Sequence, residues 1–189
     1  MRLLHGKIVA EKTGASPLQE EANRVVQTCP PDKLVTFLIA HHAYDIPSSP
    51  EAARHANQAI CAAANAVTDF GNQMHLEDLL FFVRPVKAQN SLSLEPNIFL
   101  AISFAVATHG TNDDIYEFLS GMHAWDELAH FPQNLMGIHL IAIAVRDNGH
   151  SFQIHQLQRA HDRLVQFYGT DPAVASTIAA LEEAIRQHS

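Results

Sequence analysis

The sequence predicts an all-α fold, a compact single-domain bundle of eight or nine helices around two apolar central helices. Three observations favour it. Proline-marked helix starts recur along the chain, and glycine follows several of the expected helices. Two apolar stretches have the length of a helix, and no segment alternates apolar and polar residues as a strand would. At 189 residues the chain is of single-domain size, so we expect residues 1–189 to form one domain, with residues 1–14 as a docked N-terminal arm or a short strand.

The two central helices are predicted from segments that are apolar on every side. Residues Ile98 to Ala107 read IFLAISFAVA, and Leu135 to Val145 read LMGIHLIAIAV. A helix without a polar face must be enclosed all round, and both runs are shorter than the roughly 18 residues that span a bilayer. Protein rather than lipid must therefore enclose them, and we expect the two helices to lie in contact at the centre.

The other helices begin and end at local signals. Ser16 and Pro17 start one helix, with Gln19 as the reciprocal capping residue. Ser49 and Pro50 start the longest helix, an alanine-rich run whose small side chains should let a neighbouring helix approach closely. The remaining helices are expected from residue 31 or 32 to about 44, from 74 to 83 ended by Pro85, from 111 to about 130, from 151 to 168, and from 171 to near 189.

Proline-marked helix starts recur at an irregular interval. They fall at Pro17, Pro50, Pro96, Pro132 and Pro172, with spacings between 33 and 46 residues. Strict helical repeats keep a constant period, and the consensus residues of tetratricopeptide and ankyrin repeats are absent. We therefore expect a compact bundle rather than a solenoid.

The composition limits the classes of partner and the compartment. Twelve basic and 20 acidic residues give a formal net charge of −8, which argues against non-specific binding of nucleic acid or of anionic membranes. The two cysteines, Cys29 and Cys61, form neither a CxxC pair nor a disulfide framework, and residues 1–12 lack the uninterrupted apolar run of a signal peptide. We therefore expect a cytoplasmic protein.

Two of the 13 histidines, together with one glutamate, could form a metal site. His123, Glu127 and His130 are spaced i, i+4 and i+7, which places them on one stripe of a helix, and imidazole and carboxylate groups are ligands for transition metals. A di-iron bundle would need a second Glu-x-x-His motif, which the sequence lacks. The alternative is a solvated helix face, because the apolar stripe of this helix is centred about 100° away.

His139 is the candidate cofactor-binding residue because it lies within an otherwise apolar helix. A buried imidazole there could carry a proton or bind haem or a metal, or it could be a core histidine bonded to a backbone carbonyl. Burial lowers the pKa of an imidazole, so we expect stability to fall as the pH drops below about 6.5.

Two further histidine–carboxylate pairs admit the same two interpretations. His41 and Asp45, spaced i, i+4 with His42 beside them, could complete a metal site or pair with each other at a helix end. The dipeptide His161-Asp162 resembles the central pair of the HD hydrolases, whose activity also requires a histidine and an aspartate from facing helices.

One longer segment resembles a known family. Residues 140–170, reading LIAIAVRDNGHSFQIHQLQRAHDRLVQFYGT, resemble the core helix pair of the alkylhydroperoxidase-like and carboxymuconolactone-decarboxylase-like families. The peroxidase members have two redox cysteines where this sequence has His150 and Gln153, so the resemblance does not imply thiol peroxidase activity.

No catalytic signature in the sequence specifies a reaction, and two hypotheses of different classes remain. The first is a helical binding or interaction protein that recognises a protein partner, a second copy of the chain or a small apolar ligand, without covalent chemistry. The second is a histidine-dependent enzyme, or a helical protein that binds a metal or haem through His123, Glu127, His130 or His139.

Overall fold

The computed structural model describes residues 16–43, 48–88, 96–121 and 132–189, and every regular element in these ranges is helical. The all-α prediction is confirmed. The proposed N-terminal arm, residues 1–14, lies outside the described residues. The helices of the described ranges are α1 (Pro17–Thr28), α2 (Asp32–Ala40), α3 (Pro50–Phe70), α4 (Gln73–Ala88), α5 (Pro96–His109), α6 (Asn112–Gly121), α7 (Pro132–Asn148), a 3₁₀ turn (Ser151–Gln153), α8 (Ile154–Tyr168) and α9 (Ala175–His188).

The helices form two layers that alternate along the chain. In the odd layer, α1 packs against α3, α3 against α5, α5 against α7, and α7 against α9. In the even layer, α2 contacts α4, α4 contacts α6, and α6 contacts α8. Consecutive helices such as α1 and α2, α3 and α4, or α8 and α9 connect the layers. The chain therefore adds one helix to each layer in turn.

The proline-marked starts coincide with the odd layer. Pro17, Pro50, Pro96 and Pro132 are the first residues of α1, α3, α5 and α7. Pro172 lies three residues before α9, which begins at Ala175. Proline suits the first turn of a helix because the missing N–H would have no partner there. The irregular proline spacing thus marks where each helix of the odd layer begins.

The two predicted central helices, α5 and α7, lie in contact. Helix α5 also packs against α3, and α7 packs against α9. Ile102 and Ile141, near their midpoints, are fully buried. The single hydroxyl of the apolar run is satisfied within its own helix, because Ser103 Oγ donates to the Phe99 carbonyl oxygen at 2.7 Å. The expectation of two enclosed helices is confirmed.

Helix α3 owes its position to its alanines. Helix α3 contacts both α1 and α5, and most of its buried residues are alanines. Short side chains allow two helix axes to approach closely, so α3 fits between longer-chained neighbours. The buried alanines are Ala56, Ala59, Ala62, Ala63, Ala64 and Ala66.

The predicted caps hold at two helix starts, with one change of partner. The Ser16 and Ser49 hydroxyl oxygens accept from the backbone N–H of Gln19 at 3.2 Å and of Ala52 at 3.1 Å. Gln19 is not the reciprocal capping residue, because its Oε1 accepts from Asn65 Nδ2 of α3 at 3.4 Å, while its Nε2 donates to Asn23 Oδ1 at 2.9 Å and to the Ala62 carbonyl oxygen at 3.1 Å. A contact between α1 and α3 has replaced a local one.

Four predicted boundaries differ from the structure, and one of them is the end of α2, which lies at Ala40 rather than near residue 44. Helix α4 continues through Pro85 to Ala88, since a proline removes one backbone hydrogen bond from a helix without forbidding it. The segment after Asn148 begins with a 3₁₀ turn before α8, and α9 begins at Ala175 rather than near Asp171. The Asp171 carboxylate accepts from the Ala173 N–H at 2.8 Å, which forms a turn ahead of the helix.

A buried glutamine connects the two layers. Gln153 is fully buried in the turn just before α8, and its side-chain amide contacts the C-terminus of α5. Its Nε2 donates to the carbonyl oxygens of Gly110 at 2.7 Å and of Ala107 at 3.2 Å, with that of Val106 at 3.4 Å. Its Oε1 accepts from the His150 N–H at 2.9 Å. The last carbonyls of a helix lack partners within it, so Gln153 satisfies groups that burial would otherwise leave unpaired.

None of the helices within the described ranges has the length and hydropathy to span a membrane.

Candidate functional site

The predicted metal ligands cannot be placed. The segment 122–131, which contains His123, Glu127 and His130, is outside the described residues. Asp45 is also outside them. Among the residues that the structure describes, no group of three or more histidine, cysteine or acidic side chains is arranged to hold a metal ion. The metal site of the sequence analysis therefore stays a prediction.

His139 lies on α7 and faces α9. Its Nδ1 is 3.4 Å from the hydroxyl oxygen of Thr177, a buried residue of α9. Burial lowers the pKa of His139, and the positive charge of Arg146 lowers it further. The ring is therefore neutral at neutral pH, with one nitrogen next to a hydroxyl. This contact joins α7 to α9, and the cofactor-binding role of His139 stays a prediction.

Three helices meet at a chain of two imidazoles and a carboxylate. His41, at the end of α2, places its Nδ1 3.2 Å from His55 Nε2 on α3 and its Nε2 3.3 Å from Glu21 Oε2 on α1. The two rings are tilted, with centroids 5.3 Å apart. His41 cannot donate from both nitrogens while it is neutral, so its tautomer determines whether His55 Nε2 donates to it or accepts from it.

These partners of His41 are not evident from the sequence. The predicted partner is Asp45, four residues away, whereas in the structure the partners of His41 lie 20 and 14 positions away. Helical spacing identifies neighbours on one helix and gives no information about facing helices.

The end of α2 also contains an unusual backbone conformation. His42 has a φ of 55°, in the left-handed region that favours glycine. The N–H of Ala43 donates to the Leu38 carbonyl oxygen at 3.0 Å, and the N–H of His42 donates to that of Ile39 at 3.0 Å. These two bonds form a Schellman motif at the C-terminus of α2, in which histidine takes the position usually occupied by glycine.

His75 is a buried histidine of α4 that the sequence analysis did not single out. It is 5% exposed, and its Nδ1 lies 3.0 Å from Asn72 Oδ1, which also accepts from the His75 backbone N–H at 3.2 Å. Its Nε2 is buried and has no hydrogen-bond partner among the described residues. Burial lowers the pKa of His75, and its interaction with His109 lowers it as well, while Asp78 opposes both effects. This ring is also neutral at neutral pH.

The His161-Asp162 pair forms ion-pair contacts on the surface of α8. His161 Nδ1 lies 3.2 Å from Asp162 Oδ1, and its Nε2 lies 3.5 Å from Glu182 Oε1 on α9. His161 Nε2 and Glu182 Oε1 are within ion-pair distance, but their geometry is not that of a hydrogen bond. The pair contributes to the contact between α8 and α9, and no metal-holding group accompanies it within the described ranges.

The most unusual surface feature is a set of exposed apolar side chains on two neighbouring helices of the even layer. Met74 and Phe81 of α4 are 60% and 66% exposed, and Ile39 of α2 is 58% exposed. Met74 and Phe81 are seven residues apart, so they lie on one face of α4 within about 20° of each other. We call Ile39, Met74 and Phe81 the α2–α4 surface.

Two other exposed rings, Tyr116 and Phe152, are each in contact with a neighbouring side chain. The guanidinium carbon of Arg159 lies 5.8 Å from the ring centre of Tyr116, and the His150 ring stacks on Phe152 with centroids 5.3 Å apart. A single exposed apolar residue is ordinary on a protein surface, whereas several on adjacent helices are typical of an interaction site.

The chain matches no family model, and searches of curated proteins and of solved structures give no match either. The resemblance of residues 140–170 to the alkylhydroperoxidase-like and carboxymuconolactone-decarboxylase-like families gains no support from these comparisons. In the structure the buried Gln153 amide donates to the last carbonyls of α5, and the backbone N–H of His150 donates to Gln153 Oε1.

Proposed function

We propose that the protein is a helical interaction protein that binds a protein partner through the α2–α4 surface. The observation that carries the proposal is the exposure of three large apolar side chains, Ile39, Met74 and Phe81, on two helices that contact each other. Leaving such groups in water is unfavourable by about 25 cal/mol per Å² of apolar surface. A partner that covers them recovers this free energy.

A protein partner suits this surface better than a small apolar ligand. Small ligands bind in concave sites that enclose most of their surface. The α2–α4 surface consists instead of side chains that project from the outside of two helices. Methionine and phenylalanine are also effective at protein interfaces, because a thioether adapts its shape and an aromatic ring provides a large contact area.

The alternative of a metal- or haem-binding protein depends on other residues. It requires His123, Glu127 and His130, outside the described ranges, or His139, whose Nδ1 lies next to Thr177. Metal analysis and an absorption spectrum of the purified full chain test it directly. Stoichiometric metal or a haem Soret band would support that alternative.

Site-specific photo-crosslinking tests the proposal. A benzoylphenylalanine replaces Phe81 in the full chain, and in a matched control it replaces Phe167 of α8, which is 60% exposed. We expect a protein adduct at position 81 that is absent at position 167. The cross-linked protein is then purified, and its Kd should rise at least about tenfold for the Met74→Ser/Phe81→Ser variant.

The same experiment can overturn the proposal. Equal adducts at positions 81 and 167 would show non-specific capture, and an unchanged Kd for the double variant would exclude the α2–α4 surface. Circular dichroism of the variant checks that the helices are retained.

A further inference from the structure

We propose that the partner presents a basic amphipathic helix to the α2–α4 surface. This inference rests on the proposed function and adds the chemistry of the segment that binds. It follows from the spacing of the exposed apolar side chains and from the charges beside them.

The spacing fits a helix as the bound element. Met74 and Phe81 are two helical turns apart, which corresponds to about 10 Å along α4 at 1.5 Å per residue. An amphipathic helix repeats its apolar side chains at i, i+3 or i+4, and i+7, and so spans the same distance. Ile39 adds a third exposed apolar side chain on α2, the helix that contacts α4. Apolar side chains of a second helix can pack along it.

Carboxylates lie on both sides of this strip. At 100° per residue, Glu77 lies about 60° to one side of Met74 and Asp78 about 40° to the other. Burial raises the pKa of Asp78, and the carboxylates of Asp32 and Glu77 raise it as well, while His75 opposes them. The ammonium group of Lys33 lies 3.7 Å from Asp32 and is paired with it. The negative charge beside the strip therefore comes from Glu77 and Asp78.

Helix α6 adds acidic groups at the same end of α4. Gln73 Nε2 donates to Asp114 Oδ2 at 2.9 Å, which holds the start of α6 next to the start of α4. Asp113 precedes Asp114 in the first turn of α6 and is exposed. The basic residues of α4, Arg84 and Lys87, follow Phe81 in the sequence, so the acidic border belongs to the first two turns of α4. Lysine or arginine side chains of the partner complement this end.

Two model peptides test the inference on the full-length protein. Both are 15-residue helices with leucine at i, i+3, i+4 and i+7, and their polar faces carry either lysine or glutamate. We expect fluorescence anisotropy to give a Kd at least tenfold lower for the lysine peptide, and we expect this affinity to fall between 50 and 300 mM salt.

Matched variants separate specific binding from attraction to an acidic protein. Glu77→Gln/Asp78→Asn should weaken binding of the lysine peptide at least fivefold. Glu182→Gln/Glu183→Gln on α9 removes the same formal charge away from the strip and should leave the Kd within twofold. An equal effect of both pairs would overturn the inference, because it would show attraction by net charge alone.

The outcomes distinguish the inference from the proposed function. If both peptides bind equally and Met74→Ser/Phe81→Ser weakens both, the surface binds helices and the basic partner is wrong. If the serine variant weakens neither peptide, the α2–α4 surface itself is excluded. If sedimentation shows a dimer that the serine variant abolishes, the occupant is a second copy of the chain, which also overturns the inference.

Discussion

The odd and even layers use apolar residues differently. The odd-layer helices pack successively against one another, and their apolar side chains lie mainly inside, as Ile102 and Ile141 do. The even-layer helices α2 and α4 contact each other but leave Ile39, Met74 and Phe81 more than half exposed. The apolar side chains of the odd layer therefore lie mainly in the core, whereas three of the even layer face solvent at the surface that we propose as a binding site.

The largest predicted effect compares one apolar residue from each layer. Ile102→Ala in α5 should lower the free energy of unfolding by about 3 kcal/mol, because it leaves a cavity where no side-chain surface was exposed. Phe81→Ala in α4 should change it by less than about 0.5 kcal/mol. Urea denaturation measures both, and similar losses in the two variants would contradict the division between the layers.

The second prediction concerns the connection between the layers. Gln153→Leu should lower the free energy of unfolding by about 2 kcal/mol, because the terminal carbonyls of α5 lose a buried donor. Gln166→Leu, at an exposed position of α8, is the control and should have little effect. If the two variants were equally stable, the buried amide would not be what joins α8 to α5.

The third prediction uses one histidine from each layer. His75 in α4 and His139 in α7 both have a lowered pKa, chiefly through burial. Below about pH 6.5 the unfolded chain therefore binds more protons than the folded protein. The free energy of unfolding keeps its full histidine contribution above that pH and decreases as the pH falls towards the folded pKa values.

Thermal melts between pH 7.5 and 5 measure this effect. The double variant His75→Phe/His139→Phe should show a flatter decrease of Tm than the parent, and each single variant should flatten it in part. A slope that stays the same in the double variant would assign the pH dependence to other groups.

The smallest predicted effect lies at the end of α2. His42→Gly should raise the free energy of unfolding by about 0.5 kcal/mol, because glycine adopts the left-handed conformation without a steric cost. His42→Val, with a branched β-carbon, should lower it by about 1 kcal/mol. The order of the two variants in urea denaturation is the test, and a valine variant more stable than the glycine variant would contradict it.

Local signals in the sequence sufficed to predict the helices but not their arrangement. Ser16 and Ser49 cap α1 and α3 because a cap involves only atoms within three residues. The apolar runs of α5 and α7 predicted enclosure for a similar reason, since burial on all sides follows from composition. The order of helices within each layer depends on which faces fit together, and no periodicity within one helix encodes that.

The candidate site was predicted least well, because its contacts join distant segments. The partners of His41 are on α1 and α3, and the partner of Gln153 is the end of α5. The exposed position of Phe81 was equally out of reach, because a phenylalanine in a helix is usually buried. Its exposure depends on which face of α4 the neighbouring helices cover.

The alternating order of the two layers also has a consequence for biosynthesis. Each helix of the odd layer packs against the preceding helix of that layer. Each of these interfaces can therefore form as soon as its second helix has left the ribosome. Contacts between segments close in the chain need little loop closure and assemble quickly. We therefore expect the nascent chain to acquire its structure stepwise, from the N-terminal helices onward.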